Sequence, residues 1–202
     1  MHPGQYTVLN SLNDSTLENS IRELKYHAEF IDALNLDSTA KMQIHVGGVF
    51  GDKPSSIQRF MRNYDNLAKY IKKRLVIEND DRSYNLHDCM QIYHETGVPV
   101  LLDVLHHRLN NADESVINAL SLASQTWQSS DGIPMVDYSY SNRNGPRTSH
   151  IDSIDITNFQ QFIAETGQYD FDIMLEIKDK ETSAIKAVDL VKEDIRFFRN
   201  QQ

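Results

Sequence analysis

Five short apolar runs along the chain each end at a histidine or a carboxylate. The pair Met1-His2 has the same ending without a run in front of it. Short runs that are apolar almost throughout are typical of strands in a parallel sheet that is covered on both faces. The pattern therefore predicts five strands, at residues 42–45, 75–78, 99–103, 134–137 and 173–176.

Longer stretches with helical periodicity separate these runs, because their apolar residues recur every three or four positions. The first stretch begins with Ser15-Thr16-Leu17-Glu18, which fits a capping box. The third ends at Gly97 with Pro99 just beyond, a typical helix stop. The predicted helices cover residues 15–34, 55–74, 86–96, 113–128, 157–167 and 180–199.

Strands that alternate with helices indicate βα units and a parallel sheet, either doubly wound or closed into a barrel. A ligand-type residue at every strand tip favours the barrel, since an open sheet concentrates its site at one switch point. A closed eight-stranded barrel usually takes about 250 residues, and this chain has 202. We therefore expect one α/β domain over residues 1–202, a TIM (β/α)8 barrel that is incomplete at its N-terminus and holds about the last six units.

Composition narrows the classes of function. The chain has 29 acidic and 20 basic side chains and a formal net charge of -9, which argues against a general nucleic-acid coat protein. An enzyme that acts on nucleic acid stays possible, because bound cations reverse the local field of metal-binding carboxylates. The single cysteine excludes internal disulfides and cysteine-rich zinc sites. No run reaches the roughly 20 apolar residues of a membrane span, so we expect a cytoplasmic protein without a membrane partner.

The residues at the strand tips carry the candidate chemistry. Asp103 ends a strand and His106 follows three residues later, so both side chains can reach one cation. Imidazole and carboxylate together suit manganese, zinc or iron rather than calcium. Taken alone, the pair also fits a polar strand end with a solvated histidine. His45, Glu78 and Glu176 end three other runs, and the tips together indicate a metal-dependent enzyme.

Six segments carry a more specific signal: HPGQY at 2–6, GGVFGDK at 47–53, ENDD at 78–81, DVLHH at 103–107, RTSH at 147–150 and MLEIKDK at 174–180. In order and spacing they resemble the UV damage endonuclease family over essentially the whole chain. The resemblance implies a TIM barrel related to endonuclease IV and the xylose-isomerase-like enzymes. It implies two or three divalent metal ions at the barrel mouth, commonly manganese, with zinc or magnesium as alternatives. It also implies nicking of damaged double-stranded DNA on the 5′ side of pyrimidine dimers, which starts excision repair.

The resemblance assigns roles to individual residues. Carried over by motif, the metal ligands are His2, His45, Glu78, Asp103, His106, His150 and Glu176, and Glu78, Asp103 and Glu176 are also our candidate catalytic residues. Gln5 and Tyr6 match the pair that family members push into the duplex at the lesion; without that match they fit an ordinary turn. Lys53 and Arg147 are candidate phosphate contacts, although a surface salt bridge explains either side chain equally well.

Two departures from the family pattern bear on these expectations. Many relatives carry Lys-x-His on a late strand, with the lysine modified to a metal-bridging carbamate, whereas Met135 and Asp137 stand here. Methionine cannot form a carbamate, so we expect Asp137 to supply a compensating ligand oxygen. The family's first two strands have no counterpart, so a fragment without activity, or one completed by another chain, is an alternative. A sugar isomerase or epimerase on the same fold is the other alternative.

Overall fold

The computed structural model describes residues 1–142 and 145–197, and a sheet of five parallel strands lies at its centre. The strand order is β1-β2-β3-β4-β5, so neighbours in the sheet are also consecutive in the sequence. This confirms the predicted strands: the first two have the predicted bounds, and the ends of the other three differ by one residue. The strands are β1 (Met42–His45), β2 (Leu75–Glu78), β3 (Val100–Asp103), β4 (Met135–Tyr138) and β5 (Asp172–Leu175).

Eight helices precede, connect or follow these strands in the described part of the chain. They are α1 (Asp14–Ala33), α2 (Lys53–Asp65), α3 (Lys69–Lys72), α4 (Leu86–Thr96), α5 (Val104–Leu109), α6 (Val116–Ser124), α7 (Ile156–Glu165) and α8 (Glu181–Val191). The stop signal after residue 96 is confirmed, because Gly97 caps α4 in the left-handed conformation with φ 73°.

Helix α5 has no counterpart among the predicted helices, and α6 is shorter at both ends than the predicted helix at 113–128. Three other details of the helix predictions are also wrong. Asn13, rather than Ser15, caps α1, because its side chain accepts the backbone N–H of Thr16. The predicted helix at 55–74 is two helices, and the extended Ala68 between them turns the chain back towards β2. Helix α8 ends at Val191, short of the predicted end, which lies outside the described residues. Apolar spacing continues across such breaks and therefore does not detect them.

The two faces of the sheet carry different clusters. Residues on one face pack beneath the surrounding helices and form the larger part of the core, among them Met42, Ile44, Leu75, Ile77, Val100, Leu102 and Val136. At the alternating strand positions, Val76 and Leu101 form a second apolar cluster together with Trp127, which follows α6, and Met135 and Met174 pack against it. Two residues further along each strand, the next positions on this second face are acidic: Glu78, Asp103, Asp137 and Glu176. This face of the sheet therefore carries a layer of apolar side chains and, above it, a layer of acidic side chains. Side chains in the interior of a barrel are layered in the same way.

The N-terminal segment runs alongside β1. The amino group of Met1 donates to the carbonyl of Lys41 at 2.7 Å, and the N–H of Gln43 donates to the carbonyl of Met1 at 2.9 Å. Met1 thus bonds to the residues on either side of Met42, which is the hydrogen-bond pattern of two parallel strands. The pairing places His2 beside the tips of β1 and β2.

Candidate metal centre

Glu78 lies at the centre of the site, at the end of β2. Its Oε1 atom is 3.1 Å from Nε2 of His2 and 2.9 Å from Nε2 of His45, and its side chain is 2% exposed. The ring centroids of the two histidines are 5.7 Å apart. Two imidazoles and one carboxylate oxygen therefore converge on one point at the mouth of the sheet, and ligand atoms of the three residues lie within 4.8 Å of one another.

A second group shares Glu78 and adds two buried carboxylates from the next strands. Oxygen atoms of Glu78, Asp103 and Asp137 also lie within 4.8 Å of one another. Asp103 and Asp137 are register partners on β3 and β4, so adjacent parallel strands bring them side by side. Both are essentially buried, at 1% and 0% exposed. Carboxylates this close repel one another unless a proton or a cation lies between them.

The close approach of these carboxyl groups changes their pKa values. Burial raises the pKa of Asp137 to about 10, and the charges of Glu78, Glu176 and Asp103 act in the same direction. Burial also raises the pKa of Asp103 well above its usual range. Burial acts in the same sense on Glu78, but hydrogen bonds from His2 and His45 outweigh it and hold the pKa of that carboxyl below its usual range.

The two histidines beside Glu78 respond in the opposite sense. The hydrogen bond to Glu78 raises the pKa of His2 to about 9. At His45 burial favours the neutral ring, but the hydrogen bond and charge of Glu78 outweigh burial and raise the pKa. The raised pKa values of Asp103, Asp137 and His2 therefore favour bound protons, which offset the negative charge of the crowded carboxylates. Bound cations would replace those protons, since histidine and carboxylate ligate metals in their deprotonated forms.

Unsatisfied atoms show that the residues present fit divalent cations. Oδ1 of Asp137 and Nδ1 of His45 are buried, and neither has a hydrogen-bond partner among the described residues. The other oxygen of Asp137 accepts a short hydrogen bond from Nε2 of Gln43, which also donates to Oε2 of Glu78 at 2.9 Å. Buried imidazole nitrogens and carboxylate oxygens are the donors that manganese and zinc accept. This is the observation that supports Asp137 as a replacement ligand.

His106 is oriented by the residues around it. Its Nδ1 atom lies 3.1 Å from Oδ2 of Asp103 and 3.1 Å from the carbonyl of Asn79. Because a carbonyl only accepts, Nδ1 carries the proton and Nε2 is left to ligate. The backbone N–H of His106 also donates to Asp103 at 2.8 Å, which caps α5 and fixes the spacing of the pair.

His150 and Glu176 form the far side of the site. His150 lies in the loop after β4, in an antiparallel bridge with Ser141, and its Nε2 atom is 3.7 Å from Oε2 of Glu176. Both side chains are about one-third exposed, at 34% and 31%. This pair is therefore more open to solvent than the three central carboxylates.

The predicted DNA-binding residues lie on the surface. Gln5 is exposed, and Tyr6 is 81% exposed in the turn closed by the bond from Thr7 N–H to the carbonyl of Gly4. Arg147 is exposed in the loop after β4. Lys53 begins α2, and its Nζ atom donates to Asp88 at 2.8 Å and lies 5.6 Å from the centroid of the Tyr84 ring. The structure therefore shows this lysine in a salt bridge.

Two site residues are absent from the sequence prediction. Gln43 is buried at the centre of the carboxylates, and Asn79 exchanges hydrogen bonds with the backbone of Asp103 at 2.9 and 3.0 Å. Gln43 precedes His45 by two positions and so shares its face of β1, which is a signal that the sequence contains. Asn79 has no such signal, since its role depends on the neighbouring strand.

Comparison with known proteins identifies the family. The family model UV-endonuclease UvdE matches residues 1–200. The chain belongs to this UV-endonuclease family. The curated relatives that it matches include a UV DNA damage endonuclease of Clostridium perfringens (strain 13 / Type A), 40% identical over 195 residues, and one of Bacillus cereus (strain B4264), 30% identical over 190 residues.

This UvdE-family chain spans about half the length of those relatives. It covers 47% of the Clostridium protein and 60% of the Bacillus protein, while the alignments take in 96% and 93% of the chain itself. The crystal structure of SacUVDE is 46% identical with a TM-score of 0.90, over 96% of this chain and 64% of that one.

More distant structures show the fold alone. D-psicose 3-epimerase of Clostridium cellulolyticum H10 matches with a TM-score of 0.60 at 12% identity, over 96% of this chain and 76% of that one. These matches and the all-parallel sheet confirm the α/β barrel architecture, and the described residues contain five parallel strands of this fold.

Among the described residues, no helix combines the length and apolar character needed to cross a membrane.

Proposed function

We propose that this chain carries the metal centre of a DNA repair endonuclease, which nicks damaged double-stranded DNA on the 5′ side of UV photoproducts. One observation supports this above the others. Imidazoles and buried carboxylates converge at one edge of the sheet in a chain of the UvdE family, and they remain partly unpaired. A sugar isomerase or epimerase shares only the fold, at 12–15% identity.

The residues divide between holding metal and completing its surroundings. His2, His45 and Glu78 would hold one divalent ion, and Glu78, Asp103 and Asp137 a second. His106, His150 and Glu176 would complete the set of ligands, and a third ion would lie on the more exposed side, at His150 and Glu176. Bound there, the ions would activate water for phosphodiester hydrolysis and neutralise charge on the leaving oxygen. Manganese is our first expectation, followed by zinc and magnesium, because the donor set mixes nitrogen and oxygen.

The protein's own groups position these ligands. Gln43 donates to both Glu78 and Asp137 and so fixes their oxygens relative to each other. Asn79 fixes the backbone of Asp103 and the ring of His106. Hydrogen-bonded support of this kind orients metal ligands and tunes their basicity.

The surface next to the centre supports DNA as the substrate. Gln5 and Tyr6 follow His2 by only a few residues and project from an exposed turn. An amide can hydrogen-bond exposed base edges, and a phenol ring can stack where a base step has opened. Arg147 is a candidate phosphate contact, and Lys53 would serve the same purpose only by leaving Asp88. We place this activity in the cytoplasm, with the DNA.

Nicking tests the proposal. In manganese, the chain should cut a labelled duplex that contains one thymine dimer, immediately 5′ of the lesion, and leave the undamaged duplex intact. Asp103→Asn should remove the cutting, whereas Glu95→Ala, on the exposed face of α4, should not. Metal binding without any cutting would mean that this chain is an inactive fragment or needs another chain, and would overturn the proposal for the chain alone.

A further inference from the structure

The loop that follows β1 contains an aromatic residue in an unfavourable backbone conformation. The N–H of Asp52 donates to the carbonyl of Val49 at 3.1 Å, and the central residues Phe50 and Gly51 have φ angles of 52° and 79°. Positive φ at both central positions defines a type I′ turn, in which asparagine followed by glycine is preferred. A bulky side chain at the first of these positions is a true outlier, and such strain tends to persist at functional sites.

Packing beneath the ring holds Phe50 in place. A Cβ atom on Gly48 would lie 2.9 Å from Cζ of Phe50, so the ring sits directly against the backbone there. The guanidinium of Arg59 is 5.4 Å from the ring centroid. Arg59 is itself fixed, because Nε donates to the carbonyl of Asn10 at 2.6 Å and Nη2 donates to Ser56 at 3.0 Å. The ring is therefore supported from below.

Burial does not explain this support, because the Phe50 side chain remains 50% exposed. The loop is also tied to the candidate centre. It leaves β1 directly after His45, and the carbonyl of Gly48 accepts hydrogen bonds from Asn10 at 2.8 Å and from Tyr84 at 3.0 Å. Asn10 belongs to the N-terminal segment that presents Tyr6. A supported aromatic face is thus presented to solvent by the loop that directly follows the candidate ligand His45.

We propose that Phe50 is a stacking contact for DNA, on which a base or sugar next to the cleavage site rests. This inference rests on the proposed function and adds a recognition residue to it. Aromatic rings bind single or unpaired bases by stacking, and the guanidinium of Arg59 against the ring adds a cation–π contribution. A strained turn is retained because it directs the ring outwards rather than into the core.

The substitution Phe50→Asn separates recognition from folding, because it creates the Asn-Gly pair that a type I′ turn prefers. We expect an unchanged or higher melting temperature together with a roughly 5- to 100-fold weaker affinity for DNA, the range typical for loss of one aromatic–base stack. Affinity would be measured by fluorescence anisotropy with a labelled duplex containing one thymine dimer, in EDTA and in calcium. Phe30→Ala removes a similarly exposed aromatic from α1 and serves as the control with unchanged affinity.

Phe50→Trp gives a second, direct measurement. The new indole should retain DNA affinity, and its fluorescence should fall on binding, against the constant signal of the buried Trp127. Unchanged affinity in Phe50→Asn, or a loss of affinity that only follows a loss of thermal stability, would overturn the inference. If the wild-type chain cuts the damaged duplex in such a case, the proposed function stands and only the role of Phe50 is wrong. If the wild-type chain neither binds nor cuts, the proposed function fails first.

Discussion

The substitution Asp137→Asn tests the electrostatic description of the centre. Asp137 is fully buried beside Glu78 and Asp103, and its pKa in the folded protein is about 10. In the unfolded chain the pKa of an aspartate is about 3.9. Between these two values the metal-free folded state keeps a proton that the unfolded state releases, so stability falls as pH rises.

The magnitude follows from linkage. A group with a raised folded pKa contributes stability that is complete below its unfolded pKa and is lost as pH rises through its folded pKa. One retained proton corresponds to about 1.4 kcal/mol per pH unit, so the free energy of unfolding should drop by about 3 kcal/mol between about pH 6 and pH 8. His2, whose pKa is raised to about 9, adds to this slope in the wild type and in the variant alike. The difference between the two proteins therefore isolates Asp137.

Urea unfolding in EDTA, followed by circular dichroism at several pH values, measures this difference. Asparagine keeps the hydrogen bond from Gln43 and carries no titrating group, so the metal-free variant should be more stable than the wild type at about pH 8 and nearly equal to it at about pH 4. Asp189→Asn, at a carboxylate with a side chain 70% exposed, is the matched control and should leave the pH dependence unchanged.

Saturating manganese should narrow this difference in stability. A ligand that binds only the folded state at 100 times its dissociation constant stabilises by about 2.7 kcal/mol, and the variant lacks one ligand oxygen for it. About four pH units at about 1.4 kcal/mol each make the variant more stable by about 5–6 kcal/mol at about pH 8 in EDTA, so manganese at that concentration should remove up to about half of the difference. Parallel pH profiles for wild type and variant in EDTA would refute the reasoning, because they would mean that Asp137 is already ionised in the metal-free fold.

Three further predictions concern single side chains. Glu176→Ala should abolish manganese-dependent nicking and shift the melting temperature little, since this carboxylate is 31% exposed; a variant that still cuts would contradict its assignment. Arg74→Met should lower the free energy of unfolding by about 1–3 kcal/mol, because it leaves the carbonyls of Leu36, Asp37 and Ala40 without their buried donor, while Asp32 is half exposed and stays solvated. A loss below about 0.5 kcal/mol by urea unfolding would refute this. Gly97→Ala should cost about 1 kcal/mol in thermal unfolding solely through its φ of 73°, since an added Cβ would meet no described atom within 4 Å; an unchanged melting temperature would show that the cap tolerates alanine.

The sequence predicts the strands and their tips because two local signals coincide there. Each apolar run ends at a polar ligand type, and parallel strands bring all such ends to one edge. The order of the strands along the sequence is enough to predict that the residues at their ends are neighbours, among them Glu78, Asp103 and Asp137. The structure places their ligand atoms within 4.8 Å of one another.

Contacts that depend on a neighbouring element were not predictable in the same way. Gln43 bridges two carboxylates from other strands, and Asn79 supports a residue on β3. Lys53 was ambiguous until the packing of α2 against α4 placed Asp88 beside it. The break between α2 and α3 was missed because apolar periodicity runs through it. In each case the missing information is the position of a second element, which a single sequence does not contain.

Metal content tests the central claim most directly. Equilibrium dialysis of the purified chain against manganese, with the bound ions measured by inductively coupled plasma mass spectrometry, should give two or three ions per chain at neutral pH. Glu78→Gln, which weakens both groups that share this residue, should remove most of them, while Asp189→Asn should remove none. A wild-type chain without bound manganese, or a full complement in Glu78→Gln, would contradict the account.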